Sequence, residues 1–218
     1  MAIGYGDKNS ALEPGVDEQV TTFVRLIEDK NLGATKLLDF GTLKSYFTID
    51  VITKAGAGHD IVEKRLAKEK DAQADDMLAV IYEGLRIRAP APGLYAKVVP
   101  TGGDTLCGKL LPEGTAVGMN TSAMLADMSL FGEDANLFRP ERFLGRRTEM
   151  QRDVDLAFGA GRWNCAGQPV AFMELNKIFF ELFRNFDLQL AHPMKPWDSL
   201  SWSAWVDGNM HLKATEAM

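Results

Sequence analysis

The most informative loop of this chain reads Phe158-Gly159-Ala160-Gly161-Arg162-Trp163-Asn164-Cys165-Ala166-Gly167. It precedes an apolar segment, residues 169–185, in which hydrophobic side chains recur at helical spacing. A thiolate just before a helix is stabilised by free backbone N–H groups and by the positive end of the helix dipole. The glycines let a flat ligand approach the backbone without meeting a side chain. The loop therefore predicts a thiolate ligand site at Cys165, although a lone cysteine at a helix start is more often an inert, buried thiol.

Two further motifs carry paired charges. Glu83-Gly84-Leu85-Arg86 falls on a helix predicted from Asp76, and its i, i+3 spacing places the acid and the base on one face. Taken alone, such a pair is usually an exposed helix salt bridge that contributes little. The segment Phe138-Arg139-Pro140-Glu141-Arg142-Phe143 follows about fifty residues later. The order and spacing of the three motifs make them informative together.

Together, these motifs resemble those of the cytochrome P450 superfamily. The loop is similar to the family's haem-binding pattern Phe-x-x-Gly-x-Arg-x-Cys-x-Gly, with four residues in register: Phe158, Gly161, Cys165 and Gly167. The arginine departs from the pattern, because Arg162 stands three residues before the cysteine instead of two, and Trp163 takes its place. The combination Gly-Arg-Trp-x-Cys is similar to fungal members of the family.

The resemblance implies a role for each matching residue. Cys165 is expected to be the axial ligand of haem iron, and Arg162 is expected to lie at the haem. Lys97 lies where relatives often carry an arginine that binds a haem propionate. Lysine supplies the positive charge but lacks the planar guanidinium group that can donate two parallel hydrogen bonds to a carboxylate. The remaining matches are expected to form a buried structural triad that performs no chemistry: Glu83, Arg86 and Arg142.

The resemblance also defines the expected architecture. Residues 5–57 resemble the chain after the family's third major helix, and the similarity then jumps to the helix before Glu83. The segment Ala-Gly-x-(Asp/Glu)-Thr, which marks the family's central oxygen-activating helix, does not occur in the sequence. We therefore expect one truncated P450-like domain over residues 1–218, with two helices in 1–58 and the haem loop in 59–218. The fold class expected is mainly α with small antiparallel β-sheets.

The pattern of apolar residues predicts the individual elements. Helices are expected over residues 17–31, 39–54, 76–88, 121–128 and 169–185, and short strands over 94–99, 105–111 and 115–119. Residues 131–155 are predicted to be mostly irregular. The charged stretch 60–76 is predicted to be a solvated helix or a linker.

Composition narrows the class of partner. With 24 Lys+Arg and 30 Asp+Glu, the net charge is −6, which argues against nucleic-acid binding. Two cysteines form neither a disulfide framework nor a four-cysteine metal site. The sequence starts without a signal-peptide pattern and holds no apolar run long enough to span a membrane. We expect a soluble, cytoplasmic protein.

Three functions remain open at this point. The first is a haem-thiolate protein of secondary metabolism, which we do not expect to be a competent monooxygenase without the central helix. The second is a haem-independent enzyme that carries out a non-oxidative cyclisation, rearrangement or isomerisation, and we favour it over monooxygenation. The third is a non-catalytic or partner-dependent fragment. In each case the expected partners are a small hydrophobic metabolite and a second copy of the chain.

Overall fold

The structure is a computed structural model, and it describes residues 12–32, 36–41, 72–144, 147–201 and 204–217. Contacts divide the chain into two compact units. Unit 1 lies within Met1–Ile81, Ala160–Leu200 and Val206–Met218, and unit 2 consists of Tyr82–Gly159 and Ser201–Trp205. The expectation of a single domain over residues 1–218 stays a prediction.

The described helices are α1 (Leu12–Asn31), α2 (Ala72–Ile87), α3 (Thr121–Leu125), α4 (Met128–Phe131), α5 (Arg147–Asp155) and α6 (Gln168–Asn185). Short 3-10 helices lie at Pro140–Phe143, Leu156–Phe158 and Gly161–Trp163. The strands are β1 (Leu38–Asp39), β2 (Lys97–Val98), β3 (Asp104–Leu106), β4 (Lys109–Leu111), β5 (Ala116–Val117), β6 (Phe186–Leu190), β7 (Asp198–Ser201), β8 (Trp205–Gly208) and β9 (His211–Glu216).

These strands form small sheets. One sheet has three strands in the order β1-β9-β6, and three sheets have two strands each: β2-β5, β3-β4 and β7-β8. Strand β9 runs antiparallel to both of its neighbours, and its register pairs Leu212 with Leu38 on one side and with Leu190 on the other. The expected mixture of helices and small antiparallel sheets is confirmed.

The core of unit 1 lies between α1, α6 and the three-stranded sheet. Helix α1 buries four apolar residues at helical spacing: Val16, Val20, Phe23 and Ile27. They belong to one cluster with residues of α6, β6 and β9, among them Ile178, Leu182, Phe186 and Ala214. Full burial of one valine, leucine, isoleucine or phenylalanine side chain stabilises the fold by about 1.5–3 kcal/mol. This packing fixes α6, whose first turn follows the cysteine loop.

Unit 2 is held by aromatic contacts around the second half of α2. The rings of Tyr82 and Phe143 lie 5.6 Å apart, which joins α2 to the 3-10 helix at Pro140–Phe143. Trp205 donates its indole N–H to the carbonyl of Ala89 at 2.7 Å, and the Arg88 guanidinium lies 4.3 Å from its ring. These contacts fix the helix that carries the predicted Glu83–Arg86 pair.

Several predicted elements match, and others differ for identifiable reasons. The helices expected over 76–88 and 169–185 correspond to α2 and α6. The segment expected as irregular, 131–155, contains α5 at its end. The strand expected over 105–111 turns back at Cys107 and Gly108, which have φ of 49° and 74° and so form a tight hairpin.

The helix expected over 39–54 lies mostly outside the described residues, and Leu38–Asp39 at its start is strand β1. The charged stretch 60–76 also lies mostly outside them. Strands β6 to β9 had no counterpart in the sequence-based expectation. Within the described ranges, no helix is both long and apolar enough to cross a membrane.

Candidate functional site

Cys165 lies on the surface of unit 1, between a 3-10 helix and α6. The 3-10 helix Gly161–Trp163 ends two residues before it, and α6 begins at Gln168. The backbone N–H of Gln168 donates to the Cys165 carbonyl at 3.2 Å, so the cysteine is tied directly to the first turn of the helix. The side chain is exposed and in no disulfide. This thiol is therefore accessible to a ligand.

The glycines of the loop fit a close approach to the sulfur. Gly159 and Gly161 have φ of 86° and 57°, a conformation that side chains disfavour. A Cβ added at Gly167 would lie 3.7 Å from the Cys165 Sγ, in van der Waals contact with it. Glycine at 159 and 161 thus permits this loop shape, and glycine at 167 leaves that side of the sulfur uncovered.

Arg162 and Trp163 form a pair of their own. The Arg162 guanidinium lies 4.9 Å from the Trp163 ring centroid, within the range of a cation–π contact. Both side chains are exposed, and Trp163 is 55% accessible. The pair therefore presents a positive charge and an aromatic face on the surface of the cysteine loop.

The other two residues expected at the haem belong to unit 2. Phe158 ends the 3-10 helix Leu156–Phe158 and is half-buried. Lys97 is the first residue of β2, pairs in register with Val117 of β5, and is exposed. Each has a defined place within its own unit.

The structure brings Glu83, Arg86 and Arg142 together in the interior of unit 2. Arg86 donates to both carboxylate oxygens of Glu83, from Nε to Oε2 at 2.8 Å and from Nη2 to Oε1 at 2.9 Å. Arg142 donates from Nε to Oε1 at 3.1 Å. The three residues are 0%, 2% and 5% exposed. We call this cluster the buried triad.

Backbone groups complete the hydrogen bonding of the triad. The N–H of Arg139 donates to Glu83 Oε1 at 2.8 Å. Arg86 donates to the carbonyls of Leu125 and Leu137, and Arg142 donates to that of Phe131 at 2.6 Å. The triad thus joins α2 to the last residues of α3 and α4 and to the loop that follows α4. The three side chains thus use their hydrogen bonds on one another and on the backbone, as the expected structural role requires, and that role stays a prediction.

Burial alone would raise the pKa of Glu83. The hydrogen bonds from Arg86 and from the Arg139 N–H, together with the charges of Arg86 and Arg142, outweigh burial and hold the pKa below its ordinary value. Glu83 is therefore a carboxylate at neutral pH. The triad is a charged cluster at that pH.

Asp134 binds to the buried triad through Arg142, and the sequence motifs did not predict this contact. Its carboxylate accepts from Arg142 Nη1 at 3.1 Å and pairs with Arg139 Nη1 at 2.6 Å. Its pKa is also lowered, because these hydrogen bonds and charges outweigh desolvation. The signal in the sequence is weak, since Asp134 lies in a loop eight residues before Arg142 and matches none of the three motifs.

A comparison with known families decides the identity of the fold. The family model for cytochrome P450 matches residues 76–214, which include the triad and the cysteine loop. The chain belongs to the cytochrome P450 family. The resemblance drawn from the three motifs is thereby confirmed.

Three relatives of known sequence are fungal P450 proteins. The chain is 52% identical over 143 residues to "Cytochrome P450 monooxygenase aba1" of Botryotinia fuckeliana, covering 64% of this chain and 28% of that protein. It is 37% identical over 179 residues to "Cytochrome P450 monooxygenase ABA1" of Pyricularia oryzae, covering 80% and 34%. Pisatin demethylase of Fusarium vanettenii is 37% identical over 124 residues, covering 57% and 24%. The chain thus spans about a third or less of these relatives.

A solved structure supports the fold. The heme domain of a cytochrome P450DA mutant superposes with a TM-score of 0.56 at 16% identity, covering 95% of this chain and 41% of the other. The predicted partial P450 fold is confirmed.

The family implies haem, and the loop of this chain fits it. The Cys165 thiol is exposed, no side chain at Gly167 crowds its sulfur, and its carbonyl is fixed on the first turn of an 18-residue helix. Arg162 supplies a cation on the same loop for an anionic carboxylate. These features suit one thiolate ligand beneath a flat macrocycle.

Proposed function

We propose that this chain is a P450-derived haem-thiolate protein of fungal-type secondary metabolism that is not a monooxygenase by itself. The observation that carries the proposal is the exposed Cys165 thiol on a glycine loop at the start of α6. Haem held through a thiolate supplies oxidative chemistry, because the thiolate pushes electron density toward the iron and favours O–O cleavage.

The residues of unit 1 would bind and orient the group. Cys165 would ligate the iron from the loop that leads into the first turn of α6, to which its carbonyl is tied by the Gln168 N–H. Gly167 leaves room beside the sulfur, because a Cβ there would lie 3.7 Å from Sγ. Arg162, which lies 4.9 Å from the Trp163 ring, would supply a cation for a propionate carboxylate.

Monooxygenation demands elements that these residues do not supply. It needs protons delivered in sequence and a pocket from which water is excluded. The 218 residues contain no Ala-Gly-x-(Asp/Glu)-Thr segment.

An isotope experiment tests this proposal. The haem-loaded chain is incubated with small hydrophobic metabolites and ¹⁸O₂, with and without a P450 reductase and NADPH. We expect no product that carries the label. A labelled product that forms only with the complete redox system would overturn the proposal.

We propose a non-oxidative enzyme as the second candidate, on the grounds that the acid/alcohol motif of the central helix is missing from the sequence. A cyclisation, rearrangement or isomerisation of a small hydrophobic metabolite requires shape and orientation but no electrons. Turnover without reductant that persists in Cys165→Ser supports this candidate. Turnover that disappears with the bound haem counts against it.

We also propose that the protein acts in the cytoplasm as a homo-oligomer. The outer face of α6 exposes Phe180 and Phe183 at 53% and 55%, and the rings of Phe179 and Phe183 stack 6.2 Å apart. Apolar aromatic surface of this kind favours association with a second copy. The experiment for this surface is given in the Discussion.

A further inference from the structure

A groove of about 620 Å³ opens beside the start of β9 in unit 1. Two of the three histidines of the sequence, His192 and His211, line it. Their rings lie 6.2 Å apart between centroids, with an angle of 84° between the ring planes. Neither belongs to the cysteine loop or the buried triad.

We propose that His192 and His211 form a binding site for one divalent transition-metal ion, of the nickel, copper or zinc class. Imidazole nitrogen suits these ions, whereas magnesium and calcium prefer oxygen ligands. No cluster of three or more His, Cys, Asp or Glu that could hold a metal occurs among the described residues. The described residues therefore supply two protein ligands, and water would take the other coordination positions.

The backbone holds the two histidines in this arrangement. The N–H of Ala191 donates to the carbonyl of His211 at 2.9 Å, so the pairing of β6 with β9 continues to the residue before His192. Two imidazoles on one tetrahedral ion have centroids about 5 Å apart, since metal–nitrogen bonds are about 2.0–2.1 Å long. His192 is exposed, and a rotation of its side chain closes the difference.

The carboxylate of Asp198, which also lines the groove, already has two hydrogen-bond partners. Asp198 accepts from Lys195 Nζ and from Asn209 Nδ2, both at 2.7 Å. The hydrogen bonds from Lys195 and Asn209 and the charge of Lys195 hold the pKa of Asp198 below its ordinary value. This carboxylate remains charged and fixes the loop before β7. The two imidazoles supply nitrogen donors to the groove, which suit nickel, copper or zinc better than oxygen-preferring ions.

Calorimetric titration of the untagged full chain with Ni²⁺ tests the site. We expect one ion per chain and no heat with Mg²⁺ at the same concentration. His192→Asn and His211→Asn should each weaken Ni²⁺ binding about a hundredfold, because one imidazole lacks the effective-concentration advantage of two. His59→Asn is the matched control, since it removes the third histidine of the sequence, and Cys107→Ser and Cys165→Ser control for the exposed thiols.

Nuclear magnetic resonance provides the second measurement. Ni²⁺ is expected to broaden the ring-proton signals of both His192 and His211 over the same range of ion concentration. The exposed His192 variant decides the outcome if His211→Asn is unfolded by circular dichroism. Absence of Ni²⁺ binding, unchanged affinity in His192→Asn, or equal loss in His59→Asn would overturn the proposal. The result does not depend on haem, so it is separable from the test of Cys165.

Discussion

Arg86 donates hydrogen bonds to both carboxylate oxygens of Glu83, one turn earlier on α2, at 2.8 and 2.9 Å. Both side chains are buried, at 2% and 0% exposure, and Arg142 approaches the same carboxylate from a different segment. An ion pair at this spacing on an exposed helix surface adds little to the stability of a protein. In a buried pair, however, each charge depends on its partner, because neither is solvated by water. Removal of one partner leaves the other charges buried without a counter-charge, and this destabilises the folded state.

Glu83→Ala is therefore expected to destabilise the protein by about 3–5 kcal/mol or to make it insoluble. Urea unfolding monitored by circular dichroism measures the change. Glu83→Gln keeps the shape of the side chain and part of its hydrogen bonding, so it should remain soluble with a smaller loss. Glu133→Ala is the control, because Glu133 is exposed in the same unit. A stable Glu83→Ala protein that had lost only turnover would show that the triad is catalytic.

Glu174 on α6 gives a prediction for the pH dependence of stability. Burial raises its pKa to about 7, from an ordinary value of 4.5. The folded state then binds this proton more tightly than the unfolded state. The contribution of Glu174 is therefore fully present below the unfolded-state pKa and is lost as the pH rises from 4.5 toward 7.

Glu174→Gln should remove this part of the pH dependence and stabilise the protein above pH 7 by about 1–2 kcal/mol, a value reduced for partial exposure. Free energies of unfolding by urea, measured from about pH 5 to pH 8, check the prediction. Glu28→Gln, an exposed position on α1, is the control. If wild type and Glu174→Gln have parallel profiles, the carboxyl is not desolvated as described.

The aromatic face of α6 predicts self-association. Burial of several hundred Å² of apolar surface favours a dimer at about 25 cal/mol per Å², before the costs of association. The double variant Phe180→Ser/Phe183→Ser should lower the dimer fraction in light scattering. Leu110→Ser, which removes a leucine that is 77% exposed on the β3–β4 hairpin, should leave it unchanged. A wild-type protein that is monomeric at all workable concentrations contradicts the prediction.

How far the sequence predicts this structure depends on the strength of each local pattern. The long amphipathic segments identified α2 and α6, because many apolar residues repeat at helical spacing. Helix α5 was not predicted because its segment is polar, and Val154 near its end is the one fully buried side chain among residues 149–155. Strands β6 to β9 have between four and six residues, too few for a clear alternation.

The candidate site shows the same limit. The motifs identified Glu83, Arg86 and Arg142 because each of them stands at a fixed position within a short sequence motif. Asp134 could not be inferred, since its role arises from a loop that folds back toward Arg142. The turn at Cys107 was also missed, because cysteine is an unusual residue at positive φ and a sequence pattern does not indicate it there.

The most direct test of the haem-thiolate assignment is an absorption spectrum of the haem-loaded protein after reduction under carbon monoxide. A cysteine thiolate ligand gives a characteristic Soret band, and only Cys165 lies in the glycine loop before α6. We expect this band in the wild type and in Cys107→Ser, which retains the loop thiol, and we expect its loss in Cys165→Ser. An unchanged band in Cys165→Ser, or no uptake of haem by the wild type, would contradict the assignment.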